Sequence, residues 1–152
     1  MPLDPSAIGR EGTVVTYEID ASEIRAFADA IGDPSPVYRD LSAARAAGHR
    51  AIPAPPTFAA CRRGSDDVRQ GLDMDWSRIL HGGEEIELRR PVYVGDRLHV
   101  GQRVADIYVK EGRSGIMDFL VLEAVAKDDG GEVVYTVKRT VVVKRRAEGA
   151  AP

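Results

Sequence analysis

Two spacings of apolar residues divide the chain. Thr13 to Ile19 is rich in β-forming residues and predicts a first strand. Ile24, Phe27, Ala28 and Ile31 then recur at the period of one helical stripe. Asp20 with Glu23 three residues on has capping-box spacing, and Gly32 suits the position just past a helix end. Two prolines keep Asp33 to Pro36 out of any helix interior. Asp40 reads as the cap of a short helix, Leu41 to Ala47, closed by Gly48. Ile52 to Phe58 is a proline-rich extended approach to a helix from Thr57 to about Arg63, whose small residues Ala59, Ala60 and Cys61 let it sit close to a sheet. Gly64 to Asp75 is polar and reads as a surface loop or a frayed helix.

From Glu84 the period drops to two. Ile86 and Leu88 share one face of a strand ending at Arg90, and Val94-Gly95-Asp96 is a turn signal. Arg97 to Val109 is a long strand whose alternation slips near Gly101, as at a bulge. Glu111 to Gly115 predicts a hairpin loop. Ile116 to Ala126 is apolar on both faces, so it should be covered on both sides. Asp128 to Gly131 predicts a turn, Glu132 to Lys144 a last strand, and 145–152 a disordered tail. One strand, then helices, then four mostly antiparallel strands predict a single α+β domain over 1–144, for which a curved antiparallel sheet around a helix is an economical solution.

Composition narrows the function. The 152 residues carry 21 basic and 24 acidic side chains, net charge -3, which argues against a basic nucleic-acid footprint. Cys61 stands alone, so there is no intrachain disulfide, and three scattered histidines make a structural zinc site a poor fit. No apolar run approaches the ~20 residues that span a bilayer, and the first residues lack a signal-peptide core. The expectation is a cytoplasmic protein with no membrane or nucleic-acid partner.

Four segments then carry a resemblance: Phe27-Ala-Asp-Ala-Ile-Gly-Asp-Pro-Ser-Pro-Val-Tyr38, Ala54-Pro-Pro-Thr-Phe58, Leu80-His-Gly-Gly-Glu-Glu-Ile-Glu-Leu88 and Arg90-Pro-Val-Tyr-Val-Gly-Asp-Arg-Leu98. In this order they resemble the MaoC-like hot-dog dehydratases, in their N-terminal-type (FAS1-like) domain. They are similar to mycobacterial (3R)-hydroxyacyl-carrier-protein dehydratase subunits that accompany a catalytic partner. The resemblance runs from Tyr17 to Lys144. It implies a hot-dog fold, and homodimers or heterodimers with joined sheets. It also implies acyl-thioester substrates on coenzyme A or phosphopantetheine, with no separate cofactor or metal. The family reaction adds water reversibly across a trans-2-enoyl thioester to give a (3R)-3-hydroxyacyl thioester. It needs a base, an acid and a hydrogen-bond donor for the enolate oxygen. By resemblance Asp33 takes the catalytic aspartate position. The partner histidine, five residues on, is replaced by Tyr38, and the usual asparagine between them by Ser35. The oxyanion amide falls at Pro56 and Thr57. Pro56 has no N–H, which leaves Thr57, with Phe58 beside it at the substrate.

Each residue also has a plainer reading. Asp33 before proline is a common turn starter. Tyr38 could be a core aromatic, His81 either a replacement acid–base group or a loop histidine, and Cys61 a buried thiol. His49 reads as a surface residue and His99 as solvent-facing. The pairs Arg62-Arg63 and Arg89-Arg90 and the cluster from Lys144 read as solvated, or as contacts for phosphates or an acidic carrier. Two functions remain: a dehydratase or hydratase using Asp33 with Tyr38 or His81, and a non-catalytic acyl-binding subunit paired with a catalytic hot-dog chain. A hot-dog thioesterase lacks support, since Thr57 to Arg63 holds no carboxylate.

Overall fold

A computed structural model describes residues 2–72, 74–112 and 115–145, with the side chain of Trp76 excepted. Five strands form one curved antiparallel sheet: β1 Val15–Glu18, β2 Ile79–Leu88, β3 Arg97–Gly112, β4 Gly115–Lys127 and β5 Val133–Lys144. Their order is β1-β3-β4-β5-β2, so β4 is central and β1 and β2 are the edges. Two α-helices, α1 Ala21–Ala30 and α2 Leu41–Ala46, lie between β1 and β2.

The caps predicted for both helices are present. Asp20 accepts from the N–H groups of Ser22 and Glu23, and Asp40 from that of Ala43. The Ser22 hydroxyl, then the Glu23 N–H, hold the Asp20 carboxyl below its ordinary value. Asp4, Asp67 and Asp128 are lowered too, each first by a hydrogen bond, from the Ser6 hydroxyl, the Thr13 hydroxyl and the Glu132 N–H respectively. A depressed folded value adds stability above the unfolded value of about 3.9, which is lost as pH falls through the folded one. The urea midpoint should therefore fall below about pH 4. Asp20→Asn keeps a capping oxygen but cannot titrate, so its midpoint should fall less between pH 7 and 3 than the parent's. An identical fall would contradict the assignment.

The concave face carries two apolar clusters. The first gathers Ile24, Phe58, Ala59, Leu98, Val100, Ala124, Ala126, Tyr135 and Val137 under α1. The second gathers Val104, Ile107, Leu120, Leu122, Val141 and Val143, covered by Leu3, Ala7, Val68 and Met74. A polar layer separates them. Gln102 is buried there, Arg139 pairs with Glu84 and donates to the Ala60 carbonyl at 3.2 Å, and Arg63 closes the layer. These groups line a hollow of about 10 Å³, the size of one water.

Several expectations need correction. The segment from Thr57 is not an α-helix but a tight 3-10 run, Pro56–Cys61, so the helix packed against the curved sheet is α1. The Tyr135 hydroxyl donates to the Arg62 carbonyl and the Tyr17 hydroxyl to the Arg63 carbonyl, both at 2.7 Å, which draws the chain out of helix. Gly64 follows because its backbone presses on Gln102: an added Cβ would lie 2.5 Å from the Gln102 Cβ. The supposed loop 64–75 buries Val68 completely. Cys61 is exposed, not buried. Ile31 is exposed beyond the buried stripe of α1. The β3 bulge lies between Val104 and Asp106, not at Gly101, where the N-terminal segment binds both backbone groups of Val104. β4 is buried on one face and half-buried on the other. His99 is half-buried, its ring nitrogens 2.8 Å from Asp129 and 3.0 Å from Thr16. Arg145, placed in the tail, bonds to Asp118 through both guanidinium arms. The tip of the β3–β4 hairpin and 146–152 lie outside the described residues. No helix among the described residues is long and apolar enough to cross a membrane.

Candidate functional site

Local chain chemistry sets the Asp33 loop. Gly32 adopts φ +73°, which an L side chain rarely does. That lets the Asp33 N–H reach back to the Ala28 carbonyl at 2.9 Å and the Gly32 N–H to Asp29 at 3.1 Å, a Schellman closure of α1. Asp33 Oδ1 then accepts from the Ser35 N–H at 2.9 Å, an Asx turn. Oδ2 bonds to none of the described residues. Ser35 caps the 3-10 turn Pro36–Tyr38. Arg39 ties this loop to α1, donating to the Ser35 carbonyl at 2.9 Å and to Asp29 at 2.5 Å. Nothing in sequence spacing marked Arg39, because its partners lie on two different elements.

Asp33 and Tyr38 are both half-buried, and Tyr38 packs on the first cluster with Phe27 and Phe58. Phe27 meets Phe58 edge to face at 5.5 Å. Arg62 lies over Phe58, 4.7 Å from its ring centre, and pairs with Glu23 at 2.7 Å. It had read as half of a solvated pair. Burial, then the neighbouring Tyr17, push the Tyr135 phenol up, so it remains a donor to the Arg62 carbonyl. Pro56 and Thr57 are exposed at the start of the 3-10 run. The Phe58 N–H is committed to the Pro55 carbonyl at 2.9 Å, so Thr57 holds the remaining amide of that first turn.

Tyr38 and Phe58 thus meet in the first cluster, and Asp33 stands on the same loop as Tyr38. His81 does not join them. It is exposed near the start of β2, opposite Val141 of the second cluster, just before the bulge at Gly82. His49 contacts Tyr93, its ring nitrogen 3.3 Å from the phenol. None of the three histidines bonds to Asp33.

The segment Arg90 to Leu98 is structural. Gly95, at φ +89°, lets the chain turn so that buried Asp96 accepts from the Tyr93 N–H at 2.9 Å. Arg50 and Arg90 reach the same carboxylate at 2.7 and 2.6 Å. The Ile19 N–H donates to the Asp96 carbonyl and the Gly95 N–H to that of Ile19, which locks β1 to the turn.

A curved antiparallel sheet in this strand order, packed against α1, is the architecture of a hot-dog protein of the MaoC-like dehydratase type. A sequence profile for the FAS1-like, dehydratase domain region matches residues 6–137. The chain belongs to that family. It is 42% identical to a UPF0336 protein of Saccharopolyspora erythraea, over 97% of this chain and 96% of that one. Among solved structures it is similar to a MaoC-like dehydratase, with TM-score 0.73 and 26% identity. The match covers 89% of this chain but only 42% of that longer one. It shares the fold of the truncated HadBC (3R-hydroxyacyl-ACP dehydratase) complex of Mycobacterium tuberculosis, with TM-score 0.71 and 23% identity, over 90% of this chain and 98% of that one.

Proposed function

We infer that this chain is the acyl-thioester-binding protomer of a (3R)-hydroxyacyl-thioester dehydratase, equally a trans-2-enoyl-thioester hydratase. Its partner is a second hot-dog chain that supplies the catalytic imidazole. The observation that carries this reading is the make-up of the Asp33 loop: Tyr38 stands five residues on, and the three histidines are elsewhere. A phenol is a poor replacement for an imidazole as the general base. The HadBC structure is a complex of related fold, which supports a paired arrangement here. Strand β2, ten residues long at a free edge, is where a second sheet would add.

In hydration a base takes a proton from water, the oxygen bonds to C3, and a proton is delivered to C2. Thr57 N–H would hold the thioester oxygen as charge develops on it, and Phe58 would pack beside the acyl group. Coenzyme A or phosphopantetheine enters as part of the substrate. A self-sufficient enzyme is the second reading, favoured by the unbonded Oδ2 of Asp33.

The test is loss of enoyl absorbance with crotonyl-coenzyme A and one longer trans-2-enoyl thioester. The chain alone should be inactive, and mixing with a hot-dog subunit bearing an Asp–His pair should raise turnover at least about 100-fold over either alone. Turnover by the isolated chain that Asp33→Asn abolishes would overturn the paired reading in favour of the self-sufficient one.

A further inference from the structure

The convex face of the sheet carries an ordered row of charge. Arg103, Glu123, Lys138 and Glu85 stand directly opposite one another on β3, β4, β5 and β2. Opposed residues point to one face, so the row reads plus, minus, plus, minus across four strands. Arg103 lies 2.6 Å from Glu123, and Lys138 3.7 Å from its other oxygen. Arg103 and Lys138 remain about half exposed, at 47% and 49%, while Glu123 between them keeps 14%. A parallel apolar row, Tyr108, Phe119, Val142 and Leu80, crosses the same strands. Tyr108 stacks on Phe119 at 4.8 Å, and Leu80 is 49% exposed. Between the rows lies a hollow of about 520 Å³, lined in part by Gly82, Gly83, Val121 and Thr140.

We propose that this face pairs with the same face of a second copy about a two-fold axis parallel to the strands, between β4 and β5. That rotation reverses the order of the row. Plus, minus, plus, minus then meets minus, plus, minus, plus, so Arg103 faces Glu85 of the second copy and Glu123 faces its Lys138. The apolar rows coincide too, Tyr108 over the exposed Leu80, with Phe119 above the already buried Val142. An axis across the strands would set like charge on like, so the row selects one orientation. Self-complementarity of one patch is what a two-fold homodimer requires. Curvature concentrates contact on the central strands, where Glu123 and Lys138 stand.

Sedimentation of the full chain across concentration and salt tests this. The parent should self-associate, less so at high salt. Lys138→Glu makes the two central positions meet minus on minus and should weaken association at least about tenfold. Glu123→Lys makes them plus on plus and should do the same. Mixed together, these two variants are complementary and should associate again. Melting curves of each variant establish that it is folded, and the exposed Lys138→Glu suffices if Glu123→Lys is not. A parent mass independent of concentration, a mass that Lys138→Glu leaves unchanged, or folded variants that stay apart when mixed would each overturn the proposal. Pairing along β2 does not depend on this row, so its presence or absence is a separate result.

Discussion

Asp96→Ala should lower stability by about 3 kcal/mol, read as a shift of the urea midpoint. The carboxylate is almost wholly buried and accepts from Arg50, Arg90 and the Tyr93 N–H. Its removal strands a buried backbone donor, which alone costs about 1–3 kcal/mol, and leaves Arg90 with Asp128 at 3.5 Å as its remaining ion partner. Asp96→Asn keeps an acceptor for Tyr93 and loses the charge, so it should cost about half as much. Equal losses for the two variants would mean that charge, not the backbone bond, holds the turn. A turn loosened by losing the carboxylate would also shift the Asp96 carbonyl that accepts from the Ile19 N–H, next to the Asp20 cap of α1.

Arg145→Ala should cost about 3 kcal/mol or more, although it lies one residue beyond the last strand. Asp118 sits in the central strand with its side chain 1% exposed, and Arg145 binds both its oxygens at 2.8 and 2.7 Å. Removing the cation leaves a carboxylate in an apolar setting, far costlier than losing a surface pair. The double variant Asp118→Asn, Arg145→Ala should recover part of the loss, since a neutral amide is cheaper to bury. A double variant no more stable than the single would show that Arg145 acts through packing alone.

The resemblance and the period-two pattern made the sheet legible, and cap chemistry made α1 and α2 legible. Asp20, Gly32, Asp40 and Gly48 each act through bonds to near neighbours. Long-range bonds were not legible. The chain just past Pro56–Cys61 is held by Tyr17 and Tyr135, 46 and 73 residues away from the carbonyls they bond. Val68 stands alone among charged neighbours, with no periodicity to announce its burial. Asp118 did not stand out within the run Ile116 to Ala126, because its counter-ion Arg145 fell in the supposed tail. At the candidate site, the resemblance alone paired Asp33 with Tyr38, and the structure puts both on the loop after α1. His81 was chosen by its motif alone, and the register puts it opposite the other cluster.

The polar layer of Gln102, Glu84, Arg139 and Arg63 has a consequence for how the molecule opens. An apolar core transmits a local opening through continuous packing, but a charged seam interrupts it. The cover of the second cluster, Leu3, Ala7, Val68 and Met74, can lift without unseating α1 or Phe58. Amide protons of β3 past Val104 then exchange through a cheaper excursion than those between Leu98 and Gln102, so one continuous strand belongs to two units of different protection.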